Sequence, residues 1–144
     1  MKLIRLNYAS RLQQPLTKAQ LHEILNTANT RNEACGITGF LCVSKRYALQ
    51  CLEGSREEVN ALYASIVKDT RHAGAEILLH SEPWHRMFAK WHMGFSNELS
   101  SAAPNSQRWH DEHGFNPFLV ESDMIENVIE ELSVRAERVE LSSL

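Results

Sequence analysis

An α+β fold, one sheet with two helices on a single face, is predicted by three features of the 144-residue sequence. Apolar residues alternate at period two in several short runs, and two longer stretches repeat them at helical spacing. The runs follow one another in the order β-α-β-β-α-β-β. The first six elements make the split β-α-β, ferredoxin-like arrangement, in which the first and third strands are neighbours. A further amphipathic stretch near the C-terminus is expected to cover the sheet's other face, which would otherwise be bare.

The first strand is Lys2 to Tyr8, with Leu3, Arg5 and Asn7 on one face and Ile4, Leu6 and Tyr8 on the other. Thr17 is placed to cap the first helix, with Gln20 at the capping-box position. Leu21, Ile24, Leu25 and Ala28 form its apolar face, and polar Asn29 to Ala34 is expected to end it. Ile37 to Val43 and Tyr47 to Leu52 read as a hairpin around Ser44-Lys45-Arg46. In its second strand Tyr47, Leu49 and Cys51 share one face and Ala48, Gln50 and Leu52 the other, so both faces should be covered. Ser55, with Glu58 three residues on, starts the second helix, whose apolar face is Val59, Leu62, Tyr63 and Ile66. Ala75 to His80 is the fourth strand. A fifth is expected to hold Trp91, Met93 and Phe95 on one face. Residues 96–107 read as a polar linker and 113–123 as irregular. Met124 to Val139 is predicted helical, with Ile125, Val128, Ile129 and Leu132 on one side.

Composition narrows the function. Apolar content of 43% and charged content of 23% are those of a globular domain with a single good core. A net charge of −3 argues against a general electrostatic grip on nucleic acid or anionic membrane. No run reaches transmembrane length and no signal peptide is visible, so a cytoplasmic protein is expected. The cysteines, Cys35, Cys42 and Cys51, lack C-x-x-C spacing and read as buried hydrophobes in a reducing compartment. His110-Asp111-Glu112-His113 carries metal-ligand chemistry, but adjacent residues on a polar segment read as a solvated surface.

Gln50 is the informative residue, because a primary amide inside a covered strand must find partners. A backbone group or a buried water would satisfy it. In the predicted topology, however, Tyr8 and Gln50 lie beneath the helices on adjacent strands, within hydrogen-bonding reach. Asn32 can approach from above, and Trp91 or Met93 from the last strand. No strong nucleophile or general base joins them. Asp69, Arg71 and His72 follow the second helix, where a surface turn is one reading and a phosphate, ribose or adenine site another.

Taken together and in order, Tyr8-Ala9-Ser10, Arg31-Asn32, "GITG", "LQCLEG", "DTRH" and "WHMGF" resemble the BLUF family, blue-light sensors using FAD. The resemblance spans about residues 1–95. It implies a flavin-binding photosensory domain there, with residues 96–144 a linker and C-terminal helical extension. It also implies FAD held without a covalent bond between the two helices. Ile24, Leu25 and Ile66 would then sandwich the ring, Asn32 would bond its pyrimidine edge beside Arg31, and Asp69, Arg71 and His72 would face the phosphate and adenosine portion. The implied chemistry is light-driven electron and proton transfer from Tyr8, through Gln50, leaving Gln50 rearranged and the flavin C4 carbonyl more strongly hydrogen-bonded. Trp91 and Met93 match the strand that relays the signal, and either one would approach the glutamine. Ala48 departs from the family, which often has a large aromatic there, and implies looser packing beside the flavin.

The expected product is a signal rather than a reaction, so no enzymatic activity is assigned. The output would pass to a downstream protein partner or to a second copy of the chain. Two rival functions share the fold. One is a regulatory module that binds a small molecule without photochemistry. The other is a hydrolase of the acylphosphatase type, for which "ASRLQQPLT" supplies little of a phosphate-cradling loop.

Overall fold

The computed structural model describes the backbone of residues 1–142 and the side chains of residues 1–137; residues 143 and 144, the end of the expected extension, lie outside the described residues. The elements are β1 (Leu3–Leu12), α1 (Lys18–Cys35), β2 (Thr38–Val43), β3 (Tyr47–Ser55), α2 (Arg56–Ile66), β4 (His72–Ser81), β5 (Gly94–Ser96), β6 (His110–Asp111), β7 (Gly114–Phe115) and α3 (Ile125–Ser142). Five strands form one sheet in the order β4-β1-β3-β2-β5, and β6 and β7 form a separate hairpin. β3 pairs antiparallel with both β1 and β2, while β5 adds to β2 in parallel.

The predicted starts are largely met. Thr17 caps α1 through a complete capping box with Gln20, and Ser55 caps α2 by accepting from the Glu58 N–H at 3.3 Å. The end of α1 differs from expectation. Residues 29–34 continue the helix, with the Asn29 amide donating to the Leu25 carbonyl at 2.8 Å. Polar side chains on a solvent-facing helix do not stop it; the stop is Gly36, whose φ of 69° is the left-handed conformation that glycine adopts without strain.

Each face of the sheet carries its own core. On the α1/α2 face lie Ile4, Leu6, Tyr8, Leu52, Val59 and Met93. On the other lie Phe40, Leu49, Cys51 and the α3 residues Ile125, Val128, Ile129 and Leu132. The alternation read from 47–52 therefore holds, and α3 covers the far face. The polar stretch after β5 also reaches that core: Leu99 and Ala102 are fully buried, in a short 3-10 turn and just after it. Burying the four apolar α3 side chains contributes several kcal/mol at about 1.5–3 kcal/mol each.

The fifth strand is shorter than predicted. Only residues 94–96 are extended, and Trp91 sits in a turn, its N–H bonded to the Phe88 carbonyl at 3.1 Å and its carbonyl accepting from Gly39 N–H at 3.1 Å. The turn breaks the period of two, so Trp91 and Met93 do not share a face. Trp91 packs on Phe40 at 5.4 Å between centroids, in the far core, while Met93 enters the helix-side core.

Two substitutions probe this packing. A Cβ at Gly39 would meet the Cys51 carbonyl oxygen at 2.2 Å, so Gly39→Ala should cost at least about 1–3 kcal/mol in chemical denaturation. Asn7, fully buried in β1, has no hydrogen-bond partner for either amide atom among the described residues. Asn7→Leu is of similar size and removes that burden, so the unfolding free energy should rise by about 1–3 kcal/mol in the same assay.

Candidate functional site

The pairing of β1 with β3 places Tyr8 directly opposite Gln50. Tyr8 donates its hydroxyl to Gln50 Oε1, and Gln50 donates Nε2–H to Met93 Sδ at 3.3 Å. All three residues are buried, Gln50 at 6% exposure. Burial pushes the Tyr8 phenol well above its ordinary pKa, which keeps the hydroxyl protonated and a donor. The Tyr63 ring of α2 stands edge-on to Tyr8 at 5.2 Å.

Above this pair, between α1 and α2, opens a cleft whose mouth faces solvent. Tyr8 and Gln50 form part of its floor, Ile24 and Ile66 part of its walls, and Arg31, Asp69, Arg71 and His72 also line it. Asp69 accepts from Arg71 at Nε (3.0 Å) and Nη2 (2.5 Å), and this bond holds the Asp69 carboxyl below its usual range. His72 Nε2 contacts the Ile66 carbonyl at 2.9 Å, which fixes the ring against the end of α2.

Three residues expected at the site stand elsewhere. Leu25 turns into the helix-side core behind the cleft wall and does not line the cleft, because it lies one residue around α1 from Ile24. Asn32 is fully buried and off the lining. Its amide donates to the His92 carbonyl at 2.7 Å, and its Oδ1 faces Arg31 Nε at 3.4 Å. Trp91 is across the sheet from Gln50, turned away by the break in alternation described above. Met93, not Trp91, touches the glutamine.

Other lining residues were given no site role from the sequence, among them Ser10, Leu16, Glu23 and Thr27. Ser10 was the most accessible to reasoning: it lies two residues beyond Tyr8 on the same strand face. Its Oγ is buried at the cleft without a partner among the described residues.

A family model described as sensors of blue-light using FAD, the BLUF model, matches residues 3–94. A photoactivated adenylate cyclase subunit beta-like protein of Euglena gracilis is 34% identical over 93 residues, which are 63% of this chain and 11% of that protein. The blue light- and temperature-regulated antirepressor BluF of Escherichia coli is 32% identical over 88 residues, 61% of this chain and 22% of the relative. The chain thus spans about a tenth to a fifth of the length of these curated relatives. Among solved structures, BlsA in its photo-activated state superposes with a TM-score of 0.76 at 30% identity, covering 90% of this chain and 94% of BlsA. The dark-state structure of BlrB gives a TM-score of 0.75 and covers 94% of this chain and 97% of BlrB, at 24% identity, a likeness of fold. With its matched family model, the shared topology and a buried Tyr8–Gln50 pair at the floor of a cleft, the chain belongs to the BLUF family of FAD-using blue-light sensors.

Proposed function

We propose that this chain is a photoreceptor in which Tyr8 donates the electron and proton, Gln50 is the switching amide, and the changed hydrogen bonds are passed to a protein partner. The observation that carries the reading is the chain of contacts from Tyr8 through Gln50 to Met93.

A primary amide has a donor and an acceptor on a nearly symmetric frame, so a flip exchanges its bonds with little change of shape. In the orientation seen, the carbonyl takes the Tyr8 proton and the NH₂ faces a thioether. After a flip the NH₂ would meet the Tyr8 oxygen, which can still accept. The carbonyl would then meet Met93 Sδ, which has no hydrogen to give. Met93 therefore favours one orientation, but only weakly, because sulfur is a weak acceptor. That is the bias a reversible switch requires.

The cleft suits FAD on the protein's own terms. Apolar Ile24 and Ile66 offer surface for a ring system, Ser10 Oγ offers a buried hydroxyl without a partner among the described residues, and Arg31 and Arg71 offer cations toward phosphate. FAD, when bound, absorbs blue light and in its excited state accepts an electron and a proton. Tyr8 would supply them, and Gln50 would hold and re-aim the proton between phenol and cleft. Asp69 orients Arg71, and Asn32 braces the segment that carries Met93.

No helix among the described residues is long and apolar enough to cross a membrane. Output to a downstream protein, or through a second copy of the chain, is the reading we favour.

Purified with FAD, the protein should be yellow, and its absorption should shift to the red under blue light. Tyr8→Phe and Gln50→Leu should keep FAD and lose that shift, and a normal shift in either would refute the roles given to them. Arg71→Met should weaken FAD retention about ten- to a hundredfold in equilibrium dialysis, the loss of a charge-assisted hydrogen bond of about 1.5–3 kcal/mol. Unchanged retention would remove Arg71 from the phosphate contact.

A further inference from the structure

Glu53 lies on β3 three residues past Gln50, and the alternation of the strand turns it to the opposite face. It is fully buried, yet its carboxylate is completely surrounded by donors. Arg5 Nε donates at 2.9 Å, Thr38 Oγ1 at 3.2 Å, and the backbone N–H groups of Met87 and Phe88 at 2.7 and 2.9 Å. Two consecutive backbone N–H groups on one carboxylate fix the direction of the chain at that point.

From there to Met93 the chain has few free joints. The Phe88 carbonyl holds Trp91 N–H, the Trp91 carbonyl holds Gly39 N–H, and the Phe88 and Trp91 rings both pack on Phe40. A Cβ on Gly94 would lie 2.6 Å from both Phe40 and Trp91, so β5 begins hard against this packing. Met93 is delivered to Gln50 by a segment anchored at Glu53.

The same node reaches the tail. Arg5 donates Nη2–H to the His85 carbonyl at 3.0 Å and pairs through Nη1 with Glu126 at 3.4 Å. Glu126, in the first turn of α3, also accepts from Ser81 Oγ at 3.1 Å. One buried ion pair thus touches β1, β3, the segment leading to Met93 and the start of α3.

We propose that Glu53 is the positioning residue that sets Met93 against Gln50, and that the Arg5–Glu126 contact carries a change at that point to α3. The proposal rests on the photoreceptor reading for its light-dependent part and on geometry alone for its dark part.

The test uses the full chain with FAD. In the dark, Glu53→Gln should speed hydrogen exchange at the Met87 and Phe88 amides at least tenfold, a result independent of any photochemistry. Recovery from the red-shifted state should change several-fold in both Glu53→Gln and Met93→Leu, with no further change in the double variant, because the first acts through the second. Glu126→Gln, at the solvent side of the node, should leave the red shift intact and at least halve the light-minus-dark exchange difference over residues 125–132. Additive effects on recovery, wild-type exchange at Met87 and Phe88, or a full α3 difference in Glu126→Gln would overturn the proposal. So would a wild-type α3 that exchanges equally in light and dark while the red shift is normal. Failure of the wild type to shift at all would instead sink the photoreceptor reading, with the Met87–Phe88 result still deciding whether Glu53 anchors the segment.

Discussion

The molecule depends on what the middle strand of its sheet can carry. β3 is buried along its length between two cores, yet it holds an amide on one face and a carboxylate on the other. Each polar group is tolerable only because its partners are fixed by strand pairing: Tyr8 stands opposite Gln50, and Arg5 opposite Glu53, in a single β1–β3 register. A slip of one residue would exchange the two faces, placing Gln50 under α3 and Glu53 in the cleft, with neither satisfied. The register that builds the fold is therefore the register that builds the site.

A two-faced strand also explains how a small change in one amide has somewhere to go. Interiors packed at crystalline density do not deform smoothly; they shift between discrete arrangements. Here the flavin-side face offers one soft contact, a thioether that accepts weakly from Gln50. The far face offers hard ones, four donors around Glu53. Movement at the soft contact has to be absorbed by the segment that joins the two. The fully buried amide of Asn7, without partners among the described residues, makes that part of the sheet less tight than its apolar content alone would allow.

Much of the fold was legible in local pattern. Alternation over 47–52 put Gln50 on one face with Ala48 and Leu52, the predicted split β-α-β topology set that face beside Tyr8 beneath the helices, and Thr17 with Gln20 marked the start of α1. Polarity over 29–34 misled, since a helix with a solvent-facing side tolerates polar residues and only Gly36 supplies the backbone geometry of a stop. Extending the alternation back from Phe95 to Trp91 also misled. A turn held by Phe88 and Gly39 breaks the period, and no local feature of "WHMGF" announces it. The Glu53 node was invisible for a different reason: its members lie 48, 15 and about 35 positions apart, and they meet only once the strands pair. A carboxylate just past the covered run 47–52 was the single clue.

The central claim is that Gln50 itself changes its hydrogen bonds when the protein is illuminated. Solution NMR of the FAD-loaded protein, with glutamine side chains labelled in nitrogen, reads that amide directly. The account predicts that the Gln50 Nε2 resonances move under blue light and return in the dark with the same time course as the red-shifted absorption, while the amides of Gln13 and Gln14 stay still. Gln50 resonances that are unchanged through a full red shift would contradict it, and would place the switch in some other group.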